Sequence, residues 1–310
     1  MQDNILVSVV CTTYNQSKYI RQCLDSLLMQ KTNFAYEIIV HDDASTDGTA
    51  DIVREYERNN LNIIAICEKE NQFSKHVPFF RKYILPMVRG KYIATCEGDD
   101  FWTDKEKLQI QADFLEENSD YVMCTHAAYY ANENGMLNNK KTFSVFTKDK
   151  EITTEELIEK WCFATNSRMF RTNIYPIEKP SFIGKCRNGD FVHAVYFSLQ
   201  GKIYYMNRIM SAYRVNSKGS LSRLYINNRK ANIRQNELFV EMLEQLDEYT
   251  NYRFHGSVEK HKEKRLFEMY KTKGDLKNAR KIKSQYNKLS LFKKFKFFIR
   301  TMLYKIDNLC

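Results

Sequence analysis

The sequence predicts an α/β protein with a mostly parallel central sheet, flanked by helices and followed by an α-helical C-terminal extension. Over the first two thirds of the chain, apolar β-type runs alternate with stretches of helical periodicity, which is the pattern of repeated βαβ units. After about residue 224 only helical patterns remain, so we divide the chain into residues 1–223 and 224–310. The length of 310 residues and a hydrophobic content of 43% are sufficient for a large buried core.

The predicted elements follow in chain order. Residues 5–11 (ILVSVVC) form a continuous apolar run, as expected of a parallel strand that is buried on both faces. Further strands are expected at residues 36–40, 62–67, 91–96, 121–130 and 163–170 and in two short pieces near 203–213, with helices through residues 19–28, 52–56, 77–88, 108–115 and 191–199.

Charge and cysteine content narrow the class of protein. From Arg253 onward there are 17 Lys and Arg against 5 Asp and Glu, so this region carries +12 while the rest of the chain carries −2. The eight cysteines are scattered without a C-x-x-C pair, which favours reduced thiols in a cytoplasmic protein over disulfides or a zinc site. The first apolar run lacks a basic flank and a cleavage site, so we interpret it as a strand and not as a signal peptide.

Three polar clusters follow predicted parallel strands, at residues 12–15 (TTYN), 42–43 (DD) and 97–100 (EGDD). Ligands of open α/β sheets bind outside the carboxyl ends of the strands. The chain has neither a Gly-rich turn after its first strand nor a G-x-x-x-x-G-K-[ST] motif to hold phosphate. A divalent cation held by one or two carboxylates can take that task.

The acidic clusters differ in how strongly they indicate a site. Residues 97–100 place three carboxylates within four positions after a buried strand, where they repel one another unless a cation or hydrogen-bond donors compensate. We therefore favour a metal site there. The pair at 42–43 is more often a helix cap and a turn, and that alternative stays open.

With these motifs in place, the sequence resembles the inverting glycosyltransferases of family 2, which have the Rossmann-like GT-A fold and include enzymes of bacterial surface polysaccharides. The resemblance rests on residues 7–15 (VSVVCTTYN), 37–49 (EIIVHDDASTDGT) and 97–108 (EGDDFWTDKEKL), in this order. It runs from Leu6 to about Ser220 and includes the positions of Asp190 and Arg214.

The resemblance implies a role for each motif, and the residues concerned fall into four groups. They are Thr12, Tyr14, Asp42 and Asp43 in the nucleoside pocket; Asp99 and Glu97 at the diphosphate and an Mn²⁺ or Mg²⁺ ion, with Asp100 as a neighbouring or sugar contact; Asp190 as general base; and Arg214 in a late loop at the diphosphate. Glu97 replaces the usual first Asp of this motif, and Asn216 stands where relatives commonly have His.

The residues also suggest a base independently of the resemblance. An inverting transfer is a single in-line displacement, which needs a carboxylate on the acceptor side to take the proton. Asp190 opens the predicted helix over 191–199 and suits this role, although it could equally be a helix cap. Trp102 could contact a sugar or equally pack against the sheet, and Thr165-Asn166 could contact a sugar or equally form an ordinary turn.

The C-terminal segment 289–309 (LSLFKKFKFFIRTMLYKIDNL) combines aromatic residues with lysines in an amphipathic helical pattern. A helix of this kind can lie in the interface of an anionic membrane. The alternative is a helix docked on the body with its lysines in solvent. No nucleic-acid motif is present, so we expect no nucleic-acid partner.

Together these observations predict a cytoplasmic enzyme at the inner face of the cell membrane. It would move a sugar from a nucleotide donor, UDP-linked in the favoured case, to a hydroxyl of a glycan or lipid-linked oligosaccharide. Two alternatives are a sugar-nucleotide nucleotidyltransferase, which would need a Gly-rich basic signature after the first strand, and a non-catalytic nucleotide- or glycan-binding subunit.

Overall fold

The structure is a computed structural model that describes residues 4–176, 178–184, 186, 188–215 and 228–307, without side-chain detail at 138–141 and 300–307. The chain divides into two compact units. The first comprises Met1–Thr153, Cys162–Pro176 and Tyr196–Ser220, and the second comprises Thr154–Trp161, Ile177–Val195 and Leu221–Cys310. The predicted division between residues 223 and 224 lies outside the described residues, as does Asn216, and it stays a prediction.

The first unit is built on a mixed β-sheet. In the described residues its strands are β1 (Ile5–Thr13), β2 (Ala35–Asp42), β3 (Ile63–Cys67), β4 (Tyr92–Glu97), β5 (Phe101–Trp102), β6 (Tyr121–Ala131), β7 (Leu137–Phe143), β8 (Lys150–Ile152), β9 (Met169–Arg171) and β10 (Lys202–Arg214). Their order is β3-β2-β1-β4-β9-β6-β10-β5, with β7 paired to β6 and β8 paired to β10. Strands β3, β2, β1 and β4 are parallel neighbours, while β9 runs antiparallel between β4 and β6.

The helices of the two units, together with this sheet, confirm the predicted α/β class. They are α1 (Ile20–Leu28), α2 (Thr49–Asn59), α3 (Lys107–Glu117), α4 (Thr154–Glu159), α5 (Gly189–Ser198), α6 (Arg229–Tyr249), α7 (His255–Lys273), α8 (Leu276–Lys281), α9 (Lys283–Tyr286) and α10 (Leu291–Asp307). In the described part of the C-terminal region, residues 228–307, all regular elements are helical, as the sequence predicts. No helix among the described residues is long and apolar enough to cross a membrane.

The first strands of the sheet are apolar because their side chains form the core of the first unit. Alternate side chains of β1, Val7, Val9 and Cys11, are fully buried in one cluster with helix residues such as Leu24 of α1 and Leu108 of α3. Burial of such side chains stabilises the fold by about 1.5–3 kcal/mol each. The seven cysteines within the described residues are free thiols, in agreement with the prediction.

The helix predicted over residues 77–88 is replaced by a single π-helical turn at Phe80–Ile84 and a 3₁₀ turn at Leu85–Met87. Pro86 lies in the first positions of the 3₁₀ turn. Because proline has no N–H and its ring excludes the preceding helical turn, a regular α-helix cannot continue through this segment.

Two other predicted strands differ in length. The strand predicted over 163–170 is reduced to β9, since Thr165–Ser167 forms a 3₁₀ turn in which the Ser167 hydroxyl donates to the Ala164 carbonyl. The two short strands predicted near 203–213 are one strand, β10, with register shifts against β6 between Met206 and Ser211. These bulges break the alternation that the sequence pattern relies on.

The second unit has its own aromatic core. The Phe191 ring of α5 packs against Phe239 of α6 at 5.2 Å and against His261 of α7 at 5.6 Å between ring centroids. Burial lowers the pKa of His261 to about 3, so the imidazole is neutral at physiological pH. The beginning of α5 is therefore fixed by two long helices of the same unit.

Candidate functional site

Three predicted motifs meet at one edge of the sheet in the first unit. Thr12, near the end of β1, is the register partner of His41 on β2 and of Glu97 on β4. The Gly98 N–H donates to the Thr12 carbonyl at 2.9 Å, and the Asp43 N–H donates to the Thr13 carbonyl at 3.0 Å. The carboxyl ends of β1, β2 and β4 thus bring the three polar clusters side by side, as the parallel arrangement predicts.

The loops after β1 and β2 are joined by hydrogen bonds. The backbone N–H of Asn15 donates to the Ser45 hydroxyl at 2.8 Å, and the N–H of Thr46 donates to the Asn15 side-chain oxygen at 2.8 Å. Asn15 and Ala44 both have positive φ angles, 51° and 60°. Such angles are uncommon for residues other than glycine, so these bonds hold the two loops in a defined and slightly strained shape.

Asp42 is fully buried and its carboxylate is engaged by its own turn. One oxygen accepts from the Ser45 hydroxyl and the other from the Ser45 N–H at 2.9 Å. Burial raises the pKa of Asp42, while the bonds from Ser45 act in the opposite direction. This is the turn role that the sequence left open for the pair, and its predicted place in the nucleoside pocket stays a prediction.

Asp43 holds a segment that the sequence did not connect to the site. Its two carboxylate oxygens accept from the backbone N–H groups of Gln72, at 2.6 Å, and Phe73, at 3.1 Å. The neighbouring His41 ring stacks on Phe79 with 4.9 Å between centroids. Each carboxylate oxygen can accept more than one hydrogen bond, so Asp43 retains capacity for a further donor.

Glu97 and Asp99 are partly buried at the end of β4, separated by Gly98. A Cβ atom on residue 98 would lie 2.7 Å from the Thr13 hydroxyl oxygen and 2.6 Å from the Gln16 side-chain oxygen. Glycine is therefore required by the close approach of the loop after β1. This packing places the Glu97–Asp99 backbone directly beside Thr13.

The two carboxylates of Glu97 and Asp99 fit a hard divalent cation, since Mg²⁺ and similar ions take one or two carboxylates together with phosphates of the substrate. A complete cage from the protein is not needed for such an ion. Among the residues that the structure describes, no group of three or more His, Cys, Asp or Glu side chains is arranged to hold a metal. The donor set thus fits a cation that shares its coordination with a substrate.

Asp100 points into the protein and links distant segments. One carboxylate oxygen accepts from the Arg214 backbone N–H at 2.8 Å and the other from the Asn166 amide at 3.0 Å. Burial, with the adjacent Asp99 and Glu97 charges, raises the pKa of this carboxyl well above its usual range. Its observed contacts are structural, and the predicted sugar contact stays a prediction.

Arg214 is buried at the end of β10, and its guanidinium contacts the protein itself. Nε donates to the Asp99 carbonyl at 2.6 Å, and one terminal nitrogen donates to the carbonyls of Asn132 and Glu133, each at 3.1 Å. The other terminal nitrogen donates to the Gln22 side-chain oxygen at 2.7 Å. Arg214 therefore holds the backbone of Asp99 in place, while the diphosphate contact expected of it stays a prediction.

The residues left open beside the acidic loop are buried and packed. The indole N–H of Trp102 donates to the Asn166 carbonyl at 3.0 Å, and the Asn166 side chain also accepts from the Ser211 hydroxyl at 2.8 Å. The side chains of Trp102 and Asn166 are buried. In the structure Trp102 and Asn166 therefore pack inside the first unit, and the Asn166 amide donates to Asp100 of the acidic loop.

The remaining predicted residues lie at different places. The Tyr14 side chain is 45% exposed at the rim of the first cluster. Asp190 belongs to the second unit, in the first turn of α5, and is partly buried. The preceding segment is held by a hydrogen bond of 2.6 Å from the Gln235 side chain to the Asn188 side-chain oxygen. The role of Asp190 as base stays a prediction.

Sequence reasoning missed several residues that shape the site, chiefly Gln16, Gln22 and the Gln72-Phe73 backbone. Gln16 lies in the loop after β1, and Gln22 lies in α1. Both are polar residues near the carboxyl ends of the strands, and this position could have identified them as candidates. The contact of Gln72 and Phe73 with Asp43 uses backbone N–H groups, for which the sequence carries no signal.

Comparison with known proteins adds independent information. The family model "Glycosyl transferase family 2" matches residues 8–176. Over 224 residues the chain is 30% identical to the uncharacterized protein Rv1520 of Mycobacterium tuberculosis, covering 72% of this chain but 63% of that relative. Over 119 residues it is 37% identical to the poly(ribitol-phosphate) β-N-acetylglucosaminyltransferase TarS of Staphylococcus aureus, covering 37% of this chain and 20% of TarS.

Solved structures support the fold. The crystal structure of residues 1–349 of S. aureus TarS in complex with UDP superposes with a TM-score of 0.58 at 20% identity, covering 94% of this chain and 77% of that one. The mannosyltransferase PcManGT of Pyrobaculum calidifontis, in complex with GDP-Man and Mn²⁺, gives a TM-score of 0.55 at 14% identity, covering 98% and 86%. The match of the family model extends over more than half of the chain and contains the clusters at the ends of β1, β2 and β4. The chain belongs to glycosyl transferase family 2.

Proposed function

We propose that this protein is an inverting glycosyltransferase that uses a nucleotide-sugar donor. The observation that carries the proposal is the convergence of Thr12, Asp43 and the Glu97–Asp99 segment at one edge of the sheet, within the region that matches the family. Ligands of α/β sheets bind at such strand ends. Family membership favours this function over the nucleotidyltransferase that the sequence alone left open.

We propose UDP as the nucleotide of the donor. Support comes from the TarS structures, which were solved with UDP and with UDP-GlcNAc. Asp43 is buried beside Thr12 and Thr13 and keeps acceptor capacity, which suits the N–H of a uracil ring. Thr12, Tyr14 and Asp42 complete the proposed nucleoside pocket. Its shape depends on the joined loops after β1 and β2.

Asp99 and Glu97 would hold a divalent cation, Mn²⁺ or Mg²⁺, which would neutralise charge that develops on the leaving phosphate. The mannosyltransferase PcManGT, solved with Mn²⁺, supports this proposal. Arg214 contributes by holding the Asp99 carbonyl, and Asp100 by holding the end of β10. These two residues thus preserve the geometry of the loop that carries the ligands.

In the proposed reaction, an acceptor hydroxyl attacks the anomeric carbon while the nucleoside diphosphate leaves from the opposite face, which inverts the configuration. Asp190 takes the proton of the attacking hydroxyl as general base. The packing of Phe191 against α6 and α7 fixes the first turn of α5 and therefore the position of Asp190. The acceptor is a glycan or a lipid-linked oligosaccharide at the surface of a membrane.

Release of UDP from a panel of UDP-sugars, with and without Mn²⁺, tests this function together with the base. Loss of a general base typically costs about 10²–10⁴ in rate. We expect Asp190→Asn to lose turnover by such a factor while its affinity for UDP and its melting temperature stay those of the unmodified protein.

Glu248→Gln is the matched control, because it removes one exposed carboxylate from α6 of the same unit. Near-normal turnover in Asp190→Asn would assign the base to another residue. Absence of nucleotide release from every UDP-sugar by the folded protein would contradict the transferase itself.

A further inference from the structure

Helix α10 presents two opposite apolar faces. Phe297 is 5% exposed and packs into a small cluster with Phe267, Leu276 and Ala279 of the same unit. On the other side a row of large apolar side chains is exposed to solvent: Leu291 at 85%, Phe292 at 65%, Phe295 at 61%, Phe298 at 41% and Ile299 at 41%. One face thus attaches the helix to its unit, and the other is left open.

The helical period explains this arrangement. Successive residues turn by about 100° around the axis, so the five exposed residues fall on one side and Phe297 falls on the opposite side. Phe297 already packs into the core of the second unit, so the open face is not needed to attach α10 to that core. A contiguous exposed aromatic patch of this kind marks an interaction surface.

The charges around the patch identify the kind of partner. Lys294 and Lys296 lie on the two flanks of the apolar face. The Lys296 ammonium lies 4.9 Å from the centroid of the Phe292 ring and the Lys294 ammonium 5.2 Å from that of Tyr286. Lysines at the border of an apolar face can extend their charges into a layer of anionic headgroups while the aromatic rings enter the acyl boundary.

We propose that the open face of α10 binds the surface of an anionic lipid bilayer, with Phe292, Phe295 and Phe298 inserted and the flanking Lys294 and Lys296 in the headgroup layer. The helix remains attached to its unit through Phe297 during binding. The region from Arg253 onward carries a net charge of +12, which adds long-range attraction to the same surface. This inference does not depend on glycosyl transfer.

Sedimentation of the full chain with vesicles tests the proposal. Phosphatidylcholine vesicles are compared with vesicles that contain phosphatidylglycerol in addition. We expect binding to the mixed vesicles, little binding to the neutral ones, and weakening by salt. Exchange of Phe292, Phe295 and Phe298 for Ser should reduce partitioning by at least about a hundredfold, because each buried ring contributes strongly. Exchange of Lys294 and Lys296 for Gln should reduce it by about fivefold per lysine.

The matched control is a variant with Leu61→Ser and Met87→Ser, two exposed apolar residues of the first unit, at 109% and 42% exposure. It should bind vesicles like the unmodified protein. Since the exchanged side chains are exposed or, for Lys294, partly exposed, all variants should keep their melting temperature. Failure of the folded protein to bind mixed vesicles would overturn the proposal. So would self-association that is lost with the three Phe→Ser changes, because the face would then belong to a second copy of the chain.

Discussion

Two Asp-Asp pairs follow parallel strands in this protein, and their side chains have different functions. At the end of β2, the Asp42 carboxylate bonds, among the residues that the structure describes, only to Ser45, three positions further along the chain. After β4, the Asp100 carboxylate joins Asn166 and the backbone of Arg214, which lie 66 and 114 positions away. The comparison teaches that an aspartate near the end of a parallel strand can fix a local turn, as Asp42 does, or connect distant parts of the chain, as Asp100 does.

The largest expected effect on stability is that of Asp100→Ala. The change leaves the buried Arg214 N–H and the Asn166 amide without their acceptor, which typically costs about 1–3 kcal/mol for each group. We expect a loss of about 3 kcal/mol in the free energy of unfolding, measured by urea denaturation. If Asp100→Ala were no more destabilising than Asp42→Ala, the proposed difference between a connecting and a local carboxylate would be contradicted.

A lysine buried close to the acidic loop allows a second test of this region, in which stability is measured as a function of pH. Lys107 on α3 is fully buried, donates to the Gln111 side-chain oxygen at 2.7 Å and lies 3.9 Å from the centroid of the Trp102 ring. Burial lowers its pKa to about 7. Between pH 7 and the ordinary lysine pKa, the unfolded chain holds this proton and the folded protein does not, so stability rises with pH.

We therefore expect Lys107 to contribute a rise of about 1.4 kcal/mol per pH unit in the free energy of unfolding. Cysteine thiols of the unfolded chain titrate near pH 8.5, at the upper end of a window from pH 7 to 8.5, and their contribution is the same in Lys107→Met. Urea denaturation across this window should therefore show that the free energy of unfolding of the unmodified protein rises relative to that of Lys107→Met. Parallel pH profiles of the two proteins would show that Lys107 is charged in the folded state.

The smallest effect is expected for Asp42→Ala. Only Ser45 loses its acceptor, and loss of the two hydrogen bonds from its N–H and its hydroxyl costs about 2 kcal/mol in total. Urea denaturation of Asp42→Ala beside Ser45→Ala, which removes the hydroxyl that donates to Asp42 and accepts from the Asn15 N–H, should place both below Asp100→Ala. A loss at Asp42 well above this value would show that its carboxylate also supports another segment.

These differences show which parts of the molecule the sequence could predict. The apolar run of β1 and the polar residues after β1, β2 and β4 are local patterns, and the structure confirms the α/β fold that they predict. The contact of Arg214 with the Asp99 carbonyl crosses 115 positions, so local patterns do not contain it. Likewise, the 3₁₀ turn at Leu85–Met87 follows from Pro86, whose effect outweighed the apolar periodicity of its neighbours.

The most direct test of the proposed site is a calorimetric titration of UDP, GDP, CDP and dTDP, with and without Mn²⁺. Asp99→Asn is compared with the unmodified protein and with Asp113→Asn, which removes one exposed carboxylate from α3 of the same unit. We predict that UDP binds, that binding requires Mn²⁺, and that Asp99→Asn weakens it by at least about tenfold while Asp113→Asn does not. Absence of binding by the folded protein, or equal affinity in Asp99→Asn, would contradict a nucleotide-sugar site at the ends of β1, β2 and β4.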